Sequence, residues 1–181
     1  LTQGAYAQLE SDSFEEIKRL ITSKSFDEKT QAVSVLAAHP DQRTTEILKA
    51  LLEGDLYYRK SDKLLLITKK QDREYMISDA ISGAELGLVK KREIKKITTN
   101  NAIRKKTRVA LAVKRMDSED AKIRYQAVNQ VIDDLDAEMV DHLESRLQIE
   151  KDKKVRQAIE LALAVTQLES ADKAERLAAI K

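Results

Sequence analysis

Apolar side chains recur at helical spacing through the first quarter of the chain. Two stripes, with positions three and four apart, lie between residues 25 and 52, and His39-Pro40-Asp41 separates them. The first stripe holds Phe26, Val33, Leu36 and Ala37, and the second holds Ile47, Leu48, Leu51 and Leu52. This period predicts two amphipathic helices joined by a tight turn. An earlier stripe, from Tyr6 to Ile21, predicts one more helix. Residues 1–55 are therefore predicted to be a helical region, whose last helix ends in a left-handed cap at Gly54.

The pattern changes to short alternating segments between residues 56 and 98. Strands are predicted at Leu56–Lys60, Leu64–Thr68 and Glu74–Ser78, with a weaker fourth at Glu85–Val89. Polar turns separate these segments, which is typical of a small antiparallel meander. For residues 92–97 the pattern leaves a short helix and a further strand both open. A sheet this small is marginal alone, so we expect a β insert that packs on the helices.

Helical spacing resumes after Asn100, and residues 99–181 contain a repeat. Asp120-Ala-Lys-Ile-Arg124 is matched 32 residues later by Asp152-Lys-Lys-Val-Arg156, and Asp172-Lys-Ala-Glu-Arg176 is a partial third copy. A helix over Ala137–Ile149 lies between the first two copies. Asp at a helix start satisfies free N–H groups, and Arg four positions later lies on the same face. The opening resembles HEAT-type repeats, in which helix pairs stack into a solenoid.

Composition supports this reading and removes several kinds of chemistry. One Pro and four Gly among 181 residues favour helices, and the absence of Cys excludes disulfides and thiolate sites. The longest apolar runs are five residues, far short of the roughly 20 that cross a bilayer. The prediction is therefore a single domain over 1–181 of the α+β class, mainly helical, with HEAT-like α-α helix-pair repeats and a small antiparallel β insert.

The polar residues predict no catalytic, metal or cofactor site. His39 and His142 are far apart in sequence and fit surface or capping roles. Asp133, Asp134 and Asp136 fall where one helix ends and the next begins, so turn and cap duties explain them. The spacing of Gly83 and Gly87 is too common to indicate a phosphate loop. We therefore expect a protein that is not an enzyme and that uses no cofactor.

A basic block covers residues 90–115, with eleven Lys or Arg side chains and one acid, Glu93. It could be a solvated face, or it could contact anionic lipid or an acidic partner protein. Nucleic acid is disfavoured because no aromatic side chain is interleaved for stacking. The candidate partner contacts are Lys90, Lys91, Arg92, Lys95 and Lys96.

Tyr57 and Tyr58 are the candidate ligand contacts. Adjacent residues of a strand face opposite sides, so one ring would enter the core and the other would face outward, where it could stack on a planar ligand. Core packing is the alternative reading of the same alternation.

Segments spread over nearly the whole chain resemble the N-terminal extracytoplasmic region of the permease subunit of urea-type ABC transporters, within the branched-chain amino-acid transporter permeases. The resemblance is carried by Asp41-Gln-Arg43, Ile47–Asp62, Ser78–Gly83, Lys91–Ile97 with Asn100-Asn101 and Arg104, and Ala174–Ile180. It implies a non-catalytic periplasmic domain that acts as a docking or assembly surface for urea uptake. The implied partners are a periplasmic urea-binding protein, a second permease subunit and ATPase subunits.

The same resemblance implies a signal segment before Leu1 and membrane-spanning permease helices after Lys181, on the periplasmic side of the bacterial inner membrane. A cytoplasmic HEAT-like adaptor or scaffold that binds protein or nucleic acid stays open as the alternative. The flanking gene sequence would distinguish them, because a signal peptide and apolar runs of about 20 residues belong to the permease.

Overall fold

The computed structural model describes residues 13–132, 135 and 137–169. The chain divides into two compact units, Leu1–Ala110 and Leu111–Lys181, called here unit 1 and unit 2. The fold is α+β and mainly helical, with one small antiparallel sheet, which confirms the predicted class. Within the part of the chain that the structure describes, no helix is both long and apolar enough to span a bilayer.

Three helices open unit 1. They are α1 over 13–21, α2 (Phe26–Ala38) and α3 (Arg43–Glu53). The Ser25 hydroxyl accepts a hydrogen bond from the Glu28 N–H and so caps α2. Gly54 ends α3 with φ of +84°, a left-handed conformation that a residue without Cβ adopts at little cost. The predicted helices within residues 13–53 and the left-handed cap are thus confirmed, whereas the part of the first predicted helix from Tyr6 to residue 12 lies outside the described residues.

A five-stranded antiparallel sheet follows. Its strands are β1 (Leu56–Arg59), β2 (Leu65–Gln71), β3 (Glu74–Asp79), β4 (Glu85–Lys90) and β5 (Ile94–Lys96). The order is β4-β3-β2-β1-β5, so β5 returns to pair with β1 at the far edge from β4. A single 3-10 turn, Lys91–Glu93, makes this return. The segment that the sequence left open is therefore a turn followed by a strand.

Polar contacts join the helices of unit 1 to the sheet and to the segments that flank its strands. The Lys29 ammonium, on α2, donates to the backbone carbonyl and to the hydroxyl of Thr98, both at 2.9 Å. Arg43, at the start of α3, donates to the Ile81 carbonyl in the turn between β3 and β4 at 3.1 Å. The apolar core includes Leu36, Ile47, Leu48, Leu56, Leu65 and Ile77. The β insert is thus an integral part of unit 1.

Helices form the rest of the described chain. They are α4 (Asn101–Met116), α5 (Ala121–Val131), α6 (Ala137–Ile149) and α7 (Lys153–Glu169). Asn100 caps α4 through the Ile103 N–H at 2.9 Å, as its position predicts. Asp120 and Asp152 cap α5 and α7, each accepting backbone N–H groups of the first turn. The partial third copy of the repeat, Asp172–Arg176, lies outside the described residues, as do Asp133, Asp134 and Asp136.

Candidate functional site

The two candidate tyrosines occupy neighbouring positions of β1 and face opposite sides of the sheet. Tyr58 is only 7% exposed, whereas Tyr57 is half-buried. The Lys63 Nζ lies 4.2 Å from the centroid of the Tyr58 ring, within the range of a cation–π contact. Tyr58 is therefore packed in unit 1 and offers little surface to a ligand.

Tyr57 packs on a small apolar cluster of its own face, formed by Leu66, Ile77 and Ile94. Its ring centroid lies 5.6 Å from that of Tyr75, with the ring planes tilted by 46°. Burial, followed by the nearby Tyr75, raises the pKa of the Tyr57 hydroxyl. The phenol is thus protonated at neutral pH and half-covered by protein.

The candidate basic residues divide into two groups. Lys90, Lys91 and Arg92 are exposed at the end of β4 and in the 3-10 turn. Lys60, which sequence reasoning did not single out, joins them because its Nζ donates to the Arg92 carbonyl at 2.7 Å. We call Lys60, Lys90, Lys91 and Arg92 the basic turn.

Glu93 is the acid of this segment. Its carboxylate forms a local hydrogen bond, which it accepts from the Lys90 N–H at 3.0 Å. Within residues 13–132, neither Lys91 nor Arg92 pairs with a carboxylate. The basic turn therefore presents cations to solvent on a short, hydrogen-bonded piece of backbone.

Lys95 and Lys96 do not share one face, because they are consecutive residues of β5. Lys95 is the register partner of Tyr58, and Lys96 is the register partner of Tyr57. The Lys96 Nζ lies 6.0 Å from the Tyr57 ring centroid. Burial lowers the pKa of Lys29, and the positive charge of Lys95 contributes to the same shift. The five residues thus form no single patch.

The histidines provide no site for a metal ion. His39 is buried, its Nδ1 accepts from the Asp41 N–H at 3.2 Å, and its ring lies 4.9 Å from the Phe14 ring. The capping role predicted for His39 is confirmed, since its backbone N–H donates to the Val35 carbonyl at the end of α2, whereas its side chain is not at the surface. His142 lies half-buried in α6, with its Nε2 unbonded among the described residues. Across the described residues, no group of three potential ligands could hold a metal.

Unit 2 contains a buried ion pair that sequence reasoning missed. Arg124 and Glu150 form two parallel hydrogen bonds, both 2.8 Å long. Arg124 also donates to the carbonyls of Ser118 and Glu119. The repeat pointed to Arg124, but Glu150 comes 26 residues later with no local pattern to mark it.

Arg156, the repeat partner of Arg124, also reaches back to carbonyls, those of Leu147 and Glu150. The repeated arginines therefore tie each helix start to the loop ahead of it. Their role in unit 2 is structural.

No protein-family model, curated protein or solved structure matches the chain. The side chains described above therefore have to be interpreted from their own geometry. They present exposed cations and packed aromatic rings.

Proposed function

We propose that this chain is a non-catalytic extracytoplasmic region of a urea-type ABC transporter permease, and that it serves as a docking or assembly surface during urea uptake. The periplasmic urea-binding protein is the proposed partner of the basic turn. The other permease subunit and the ATPase subunits would belong to the same assembly.

Four of the residues that carry the resemblance, Asp41, Arg43, Arg59 and Asp62, form ion pairs at turns of unit 1, which is consistent with the proposal. Asp41 and Arg43 form an ion pair, and the Arg43 guanidinium reaches the Ile81 carbonyl within the segment Ser78–Gly83. Arg59 and Asp62 pair across the turn after β1, at 2.6 Å. Both pairs therefore hold turns of unit 1 in place.

The basic turn is the observation that carries the docking proposal. Its cations are exposed, and its backbone is held by the Lys60 and Glu93 hydrogen bonds. Fixed surface cations favour encounter with an acidic partner and select against a basic one. An acidic face on the binding protein is the complementary surface.

We further propose that α5, α6 and α7 are helix-pair repeats of the HEAT kind. Two features support this: α5 and α7 open with the same capping Asp, and each repeated Arg donates to carbonyls of the preceding loop or helix end. Arrays of such pairs provide extended contact surfaces.

The docking proposal predicts that charge reversal in the basic turn weakens the complex. Calorimetric titration of the urea-binding protein into the chain, with and without urea, gives the affinity at low and at physiological salt. For Lys91→Glu combined with Arg92→Glu, we expect the dissociation constant to rise about tenfold, because two attractive charges become repulsive. The loss should shrink as salt screens the charges.

Lys69→Glu combined with Lys70→Glu is the matched control, since both lysines are exposed on β2 and the net charge changes equally. Equal weakening by the two double variants would assign the effect to net charge and contradict docking at the basic turn. Absence of binding by the unaltered chain, with urea or without it, would contradict docking altogether.

A further inference from the structure

We draw no further inference here: the strongest candidate, the exposed apolar pair Leu86 and Leu88 on the edge strand β4 beside the basic turn, carries nothing because nothing among the described residues shows what covers it.

Discussion

The Glu150 carboxylate accepts hydrogen bonds from four different residues. Its two oxygens accept from Arg124, from Arg146 and from the backbone N–H groups of Lys151 and Asp152. The side chain is fully buried, so water cannot replace any of these donors. The loop between α6 and α7 therefore depends on a single negative charge.

Glu150→Gln should lower the free energy of unfolding by about 3 kcal/mol, because it leaves the Arg124 guanidinium buried without its counter-charge. Guanidinium chloride titration followed by circular dichroism would measure the loss. Glu160→Gln is the control: Glu160 is half-exposed and lies 3.8 Å from Arg156, so its removal should cost well under 1 kcal/mol. Similar losses in the free energy of unfolding for the two variants would mean that the buried pair stabilises the fold no more than an exposed pair does.

Lys29 and Phe26 show why single positions resist sequence reasoning. The helical pattern places Phe26 on the buried face, yet Phe26 is 44% exposed and Lys29 only 3% exposed. The reason is the Thr98 carbonyl, which holds the Lys29 ammonium inside, while the Phe26 ring lies 5.1 Å from that ammonium. The burial of Lys29 thus depends on a contact with a residue 69 positions away, which a local sequence pattern cannot indicate.

Asp152 caps helix α7, and its carboxylate accepts hydrogen bonds from two backbone N–H groups. Asp152→Ala should lower the free energy of unfolding by about 1 kcal/mol, because the N–H groups of Lys154 and Val155 lose their acceptor. Asp152→Asn should restore most of that stability, since an amide oxygen also caps. Thermal unfolding of the two variants beside the unaltered chain provides the comparison. If Asn were no better than Ala, capping would not be the role of this residue.

At the level of elements, local patterns predicted most of what forms. The four strands of the meander and the helices around residues 25–52 fall close to their predicted bounds, because alternation and helical period directly record which side is buried. The strand over Ile94–Lys96 could not be decided, since three residues carry no period. Its identity comes from pairing with β1, which is a tertiary contact.

At the scale of the whole molecule, three carboxylates of the described residues should make the chain less stable in acid. Hydrogen bonds from Arg43, Arg59 and Arg124 lower the pKa of Asp41, Asp62 and Glu150, respectively, each to about 2. A carboxylate with a lowered pKa adds stability that is present above its ordinary pKa and is lost as the pH falls toward 2. The free energy of unfolding should therefore decrease from about pH 5 downward.

Glu150 should supply the largest share, because the Arg59–Asp62 pair is exposed and exposed pairs add little. Unfolding titrations at a series of acidic pH values would show this as a shallower acid limb for Glu150→Gln than for the unaltered chain. Parallel limbs would assign the acid sensitivity to other groups.

For the whole molecule, the sequence predicted the fold class but not how the candidate basic residues are distributed over its surface. The basic block reads as one charged stretch, yet a turn and a strand divide it, so that Lys95 and Lys96 face opposite sides. Charge counting along a chain cannot register such a division, because it depends on strand register. The cavity of about 750 Å³ between α5 and α7 could not be predicted from the sequence either, because α6 separates its two walls along the chain.

The return of β5 to β1 also limits where the chain could be shortened. A fragment that stopped before Ile94 would keep the meander but leave one side of β1 with unpaired N–H and C=O groups. An open strand edge of this kind recruits other chains and leads to aggregation. During synthesis the same edge stays open until β5 has emerged, so the nascent chain is most exposed to aggregation at that point.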